Sequence, residues 1–231
     1  MIKDFVDSIS IDREEVLRYL EYNGQYIDEK LDHTIDECIK ITKQKINPRY
    51  TFRVYSIKQK YKGIIELEGT NLILESNDLY EILKDCNECI LMAATLGINI
   101  EKDIKKYSCT ELTKEIIIDS CATTAIEEVC DRVQNEIENN ILKNGQYLTF
   151  RYSPGYGDLS IEKNTEILTI LNGQKEIGLT ITNSGIMIPR KSVIAIIGIT
   201  DKKVEQDKTS CSTCKNKSKC KFKKGVNSCG N

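Results

Sequence analysis

The sequence predicts an α+β fold, a largely antiparallel twisted sheet with flanking helices, on three observations. Helical and strand-like patterns are interleaved along the 231 residues, but in no regular β-α repeat. Several strand-like runs follow one another directly, with no helix between them. The longest helical pattern, over 109–143, carries apolar residues at helical spacing throughout.

The elements follow in order. DREEVLRYLEY (12–22) opens on an Asp-x-x-Glu capping box, in which a side chain satisfies a free backbone N–H, and stops before Asn23-Gly24. The spacing predicts a second helix over 28–45, with Leu31, Ile35, Cys38, Ile39 and Thr42 on one stripe and Asn47-Pro48 as its stop. Short β-like runs come next at 51–57, 63–69 and 71–76. A short helix over 77–84 leads into CILMAATLG (89–97), an uninterrupted apolar run with the length of a buried strand. Residues 98–107 read as helix. The long helix follows, with Ile116, Ile117, Cys121, Ala125, Val129, Val133, Ile137 and Ile141 in its stripe and Asn144-Gly145 at its end. A loop over 150–158 precedes a helix over 161–171, closed by Asn172-Gly173. IGLTIT (177–182), GIMI (185–188) and SVIAIIGIT (192–200) read as strands, the first two joined by a hairpin turn at Asn183-Ser184. The organisation this gives is N-terminal helices and short strands over 1–85, part of the same domain as a core over 86–200, and a Lys/Cys-rich tail over 201–231.

Composition narrows the function. At 40% hydrophobic and 29% charged the chain has enough apolar residues for one good core. It has neither a membrane-length apolar run nor an apolar leader, which predicts a cytoplasmic protein without membrane association. The net charge of −2 hides an asymmetry: seven Lys and no acid lie from Lys208 onward, leaving 26 cations against 35 acids in the first 207 residues. So acidic a body argues against nonspecific nucleic-acid binding. Of ten Cys, six are spread through the body (Cys38, Cys86, Cys89, Cys109, Cys121, Cys130) and read as thiols rather than a disulfide framework. Cys86-x-x-Cys89 reads as structural, because Cys89 begins an apolar strand, and His33 reads as a surface residue. No Ser-His-Asp set, Walker loop or GxGxxG fingerprint is present, so no catalytic residue is assigned.

The loop FRYSPGYGD (150–158) has no hydrophobic period. Pro154-Gly155 is a turn dipeptide in which Pro fixes φ and Gly permits a left-handed backbone, and Ser153 before it is pushed toward extended geometry. Such a bend exposes backbone groups that can bond an adenine edge or an amino-acid zwitterion. Arg151 adds a fork for a carboxylate, and Tyr156 a ring with a polar tip. On the long helix, Glu127 lies beside the Ala125/Val129 stripe with Asp131 four residues on, where a carboxylate can meet a ribose diol or an ammonium group.

RYSPGYGD, the downstream IGLTIT-NSGIMIPRKSVIAIIG and the upstream LMAATLG and AIEEVCDRV together resemble the activation (reactivation) domain of cobalamin-dependent methionine synthase, over roughly residues 86–200. VLRYLEYNGQ and NPRYTFRVYSI look like the start of the free-standing subunit form of that domain. The resemblance implies binding of S-adenosylmethionine, with Arg151 on the methionine carboxylate, Ser153, Pro154, Gly155 and Tyr156 lining the pocket, and Glu127 as the acid of the preceding helix. It also implies a role as the activation component of a methyltransferase, inactive without its corrinoid partner. That partner would be a cobalamin-dependent methionine synthase lacking an activation domain, since this chain has no DxHxxG-type cobalamin motif. Flavodoxin or ferredoxin would supply the electron that returns inactive cob(II)alamin to the reactive state. One departure stands out: family members often continue Gly-Tyr-Pro-x-x-Pro, whereas Gly157-Asp158 follows here. The alternative is a non-catalytic corrinoid-protein interaction or metal-binding module that has lost the cofactor.

In the tail, Cys211, Cys214, Cys220 and Cys229 form C-x2-C-x5-C-x8-C among lysines that favour thiolates. The spacing is compatible with zinc or an iron–sulfur cluster and specifies neither.

Overall fold

In the computed structural model of the chain, which describes Phe5 and residues 8–203, the elements in chain order are α1 (Arg13–Tyr19), α2 (Glu29–Lys45), β1 (Arg49–Tyr61), β2 (Ile64–Leu67), β3 (Ile73–Glu75), α3 (Asn77–Leu83), β4 (Cys86–Thr95), α4 (Ile98–Thr110), α5 (Leu112–Asn140), β5 (Tyr147–Leu148), α6 (Lys163–Ile170), α7 (Gly173–Ile177), β6 (Thr180–Ile181), β7 (Met187–Ile188) and β8 (Ser192–Thr200). Six strands form one sheet in the order β3-β2-β1-β4-β8-β5, and every pairing in it is antiparallel. The α+β class with an antiparallel sheet is therefore the fold the chain adopts. β1 pairs with β4 along Arg49↔Thr95 to Ser56↔Glu88, so the N-terminal strands continue the sheet of the core.

Apolar runs without alternation need cover on both faces, and β4 and β8 sit in the middle of the sheet with helices on each side. Ile90, Met92 and Ala94 of β4 join α1, α2, α4 and α5 in one buried cluster. Cys89, Leu91 and Ala93, pointing the other way, join α3, α6 and α7 in a second. With both faces apolar, the hydrophobic pattern does not discriminate a one-residue slip of β8 against β4. Gly198, opposite Cys89, supplies the discrimination: a Cβ there would run into Cys86, Leu83 and Thr149, so only glycine fits that register position.

Side-chain caps start the helices where the sequence places them. Asp12 accepts from the Glu14 N–H at 2.9 Å, Asp28 from Leu31 at 2.7 Å and Ser76 from Leu79 at 2.9 Å. Glu15, the far member of the capping box, pairs with Arg18 at 2.8 Å.

Four elements differ from expectation. β1 runs on to Tyr61 because Lys62 and Gly63, at φ 46° and 80°, turn it into a hairpin with β2. β4 starts at Cys86 rather than Cys89, its first residue paired with Thr200. The long helix begins at Leu112, since Glu111 is extended at φ −148°, ψ 83° and separates α5 from α4. The strand expected over 177–182 begins as the end of α7, and only Thr180–Ile181 pairs, with Met187–Ile188. Their turn is closed by Gly185 N–H to the Thr182 carbonyl at 2.9 Å.

Six described cysteines are free, all buried but Cys109. Burial pushes the Cys38 and Cys86 thiols up to about 11 and those of Cys89, Cys121 and Cys130 up to about 12, which leaves them neutral core side chains. His33 is exposed on α2. Among the described residues no group of three or more His, Cys, Asp or Glu could hold a metal ion, and no helix is long and apolar enough to cross a membrane. Cys211, Cys214, Cys220 and Cys229 lie outside the described residues.

Candidate functional site

After β5 the chain continues along β8. The Thr149 N–H reaches the Gly198 carbonyl at 2.9 Å, and Tyr152 and Ile196 exchange backbone bonds at 2.9 and 2.8 Å. Alternation along this extended run sends neighbouring side chains to opposite faces. Tyr152 packs with the α3–α6 core, while Arg151 reaches α5.

The Arg151 guanidinium donates from Nη2 to Glu127 Oε2 at 3.0 Å, and from Nη1 to Asp131 Oδ1 at 2.7 Å and to the Gln134 side-chain oxygen. Its side chain is only 18% exposed. Burial works against the charge, but the carboxylates beside it more than offset that, and the guanidinium is held above its ordinary value. Residues 127, 131 and 134 lie on one face of α5, and residues 119 and 123 continue that face toward its N-terminus. There Lys191, in the 189–191 bend between β7 and β8, donates to Asp119 at 2.9 Å and to the Thr123 hydroxyl at 2.8 Å. A single polar stripe of α5 thus holds two cations from two separate loops. Next to Lys191, the Arg190 N–H donates to Glu101 of α4.

Beyond Arg151 the chain bends. Pro154 is buried and Ser153 half-buried, while Gly155 and Tyr156 are exposed. Gly155 adopts φ 94°, and its N–H donates to the Leu159 carbonyl at 2.9 Å; the Tyr156 N–H donates to Ser153 at 3.2 Å. Two backbone donors expected to be open to a ligand are therefore used within the bend. The Tyr156 ring stands out from the bend, 64% exposed.

The far end of the bend is fastened to α3. The Asp158 carboxylate accepts from the Ser76 hydroxyl and from the Asn77 and Asp78 N–H groups, the latter two at 2.8 and 3.3 Å. The Tyr152 hydroxyl closes the bend from inside, donating to the Tyr156 carbonyl at 3.0 Å. Gly157 between them sits at φ 55°, and a Cβ there would meet the Asp78 carboxylate and the Tyr152 hydroxyl. Gly157→Ala is expected to lower stability by about 1–3 kcal/mol through backbone strain and displacement of these two side chains. A chemical denaturation curve with unchanged midpoint would contradict that.

Of the residues singled out in the sequence, Arg151 and Glu127 are in contact, and Ser153, Pro154, Gly155 and Tyr156 form the bend that follows. Sequence reasoning placed Asp131 beside Glu127 but missed its contact with Arg151, and missed Gln134 altogether, although the helical spacing was there to be read. It also missed that Asp158 caps a helix 82 residues earlier in the chain, counted from Ser76. The threonines of 178–182 bond within their own hairpin, Thr180 to the Ile188 carbonyl at 3.3 Å and Thr182 with Ser184 at 2.9 Å.

The antiparallel sheet covered by helices on both faces is the fold of a reactivation domain. It is similar to the crystal structure of the MetH reactivation domain bound to AdoHcy, with a TM-score of 0.61 and 14% identity over 84% of this chain and 78% of that one. The chain belongs to the family of activation domains of vitamin B12-dependent methionine synthase, whose family model matches residues 84–205, just over half of its length. No curated protein matches it.

Proposed function

We propose that this activation domain binds S-adenosylmethionine between the 151–156 bend and α5, and holds its methyl group toward a corrinoid carried by another protein. The observation that carries the reading is the Arg151 cluster: one part-buried guanidinium set against two carboxylates at 2.7 and 3.0 Å, directly before an exposed aromatic ring. The ligand has one anionic and two cationic centres, a carboxylate, an ammonium and a sulfonium. The site has one cation and two anions, so the two sets complement each other group by group. Arg151 takes the carboxylate, Glu127 and Asp131 receive the cationic groups, and Tyr156 offers its ring to the adenine. A similar MetH reactivation domain has been solved with AdoHcy bound, which supports the class of ligand.

When bound, S-adenosylmethionine would supply an electrophilic methyl group to a reduced corrinoid presented by the partner, with S-adenosylhomocysteine as the leaving product. The chain's own residues fix position and orientation, which is the contribution this transfer needs from a protein. The corrinoid belongs to a cobalamin-dependent methionine synthase lacking its own activation domain, and flavodoxin or ferredoxin gives the electron. Calorimetric titration with S-adenosylmethionine tests the reading: saturable heat is expected from the wild-type chain. A titration without heat overturns it and leaves a docking module that retains the fold alone.

A further inference from the structure

On the face of the sheet away from α5, a cleft of about 520 Å³ opens between β1, the turn from β2 to β3, and α6. It is shallow and open to solvent, with Arg53, Asn71 and Thr165 exposed along its rim. Three segments far apart in sequence converge on it. β1 contributes Arg53 and Tyr55, the turn contributes Asn71, and α6 contributes Thr165, Glu166 and Ile170.

The walls differ in charge and character. Tyr55 and Ile170 extend the buried core outward as an apolar floor. Glu166, on the α6 wall, pairs with Lys163 one turn back at 2.7 Å. Arg53 has no carboxylate partner among the described residues and stands exposed on a strand whose backbone is paired on the β4 side. Asn71 is set in place by its turn, in which the Thr70 hydroxyl donates to the Leu67 carbonyl at 3.1 Å and accepts from the Leu72 N–H at 3.2 Å. An unpaired planar guanidinium, an amide and a hydroxyl around an apolar floor form a receptor for an oxyanion attached to an apolar or ring-bearing body.

We propose that this cleft is a second ligand site, separate from the Arg151 cluster, for a small molecule bearing a carboxylate or phosphate group. The oxyanion binds the Arg53 fork, Asn71 and Thr165 bond its remaining oxygens, and the attached body lies against Tyr55 and Ile170. This inference does not depend on S-adenosylmethionine binding.

Benzoate and phenyl phosphate are suitable probes, because each joins an oxyanion to a ring and the pair separates the two oxyanion types. Titrated into the 15N-labelled full chain, at least one of them is expected to give saturable shifts at the amides of Arg53, Asn71 and Thr165. Arg53→Gln, on an exposed side chain that the fold does not need, is expected to weaken that binding about tenfold or more, the loss of a charge-assisted bond. Thr165→Val should weaken it to a lesser degree. Shifts for benzoate alone identify a carboxylate site, and shifts for phenyl phosphate alone a phosphate site. Failure of both probes to saturate, or equal affinity in Arg53→Gln, overturns the proposal.

Discussion

Arg151→Ala is expected to abolish measurable S-adenosylmethionine binding while leaving a folded protein. A bidentate guanidinium–carboxylate contact in a part-buried setting is worth about 3 kcal/mol, or roughly a hundredfold in affinity. The substitution removes more than that contact. It leaves Glu127 and Asp131, four residues apart on α5, as like charges without the cation that now bridges them at 3.0 and 2.7 Å. Their repulsion and the lost ion pairs are expected to lower stability by about 1–2 kcal/mol, which is too little to unfold a domain with two buried cores. Arg151→Lys separates charge from geometry, since it keeps the cation and loses the fork. Calorimetry should therefore rank wild type above Arg151→Lys and Arg151→Lys above Arg151→Ala, with circular dichroism unchanged across the three. Equal affinity in wild type and Arg151→Ala would remove this cluster from the site.

The ranking matters because in the free chain the guanidinium is already engaged. Asp131 and Gln134 take bonds from its Nη1 and Glu127 one from its Nη2. A ligand carboxylate gains Arg151 only if its own cationic groups compensate the acids that give up the contact. A plain carboxylate such as acetate has no such groups, so the cluster favours a zwitterion over a simple anion. The unpaired Arg53 has the opposite preference.

How much of this was legible depends on where the information lies. The central strands could be read because they are uninterrupted apolar runs, and the helix starts because Asp12, Asp28 and Ser76 are cap residues just ahead of them. The end of β1 could not, since Gln59 and Lys60 are polar and owe their strand geometry to pairing with β2, past an irregularity at Lys58. The sequence separates α4 from α5 at 108, but no Gly or Pro marks the exact break, which falls at Glu111. Arg151 and Glu127 could be nominated as a pair of candidate groups, but their mutual contact depends on β5 pairing with β8, a long-range event that no local pattern announces. Gly157-Asp158 reads in the sequence only as a departure from the family pattern. In the folded chain the pair fastens the bend to α3.

Asp158→Ala is expected to show what that fastening contributes. Removing the carboxylate leaves the Ser76 hydroxyl and the Asn77 and Asp78 N–H groups without their acceptor, at a cost of about 1–2 kcal/mol typical of a lost helix cap. The charge also makes the fastening pH-dependent. Burial pushes the Asp158 carboxyl up, but hydrogen bonds from Ser76, Asn77 and Asp78 outweigh it and hold the group below its ordinary value. A carboxyl lowered on folding adds stability that is present in full above the unfolded value and is lost as pH falls through the folded one. The stability gap between wild type and Asp158→Asn should thus be constant near neutrality and close in acid, below the usual carboxylate range. Because the bend runs from Arg151 to Asp158, the same substitution should weaken S-adenosylmethionine binding at neutral pH without touching the ligand. Thermal melts across pH and a titration at pH 7 decide the matter: a pH-independent gap would show that the carboxylate acts through shape alone, and unchanged affinity would show that the bend holds its form without being tied to α3.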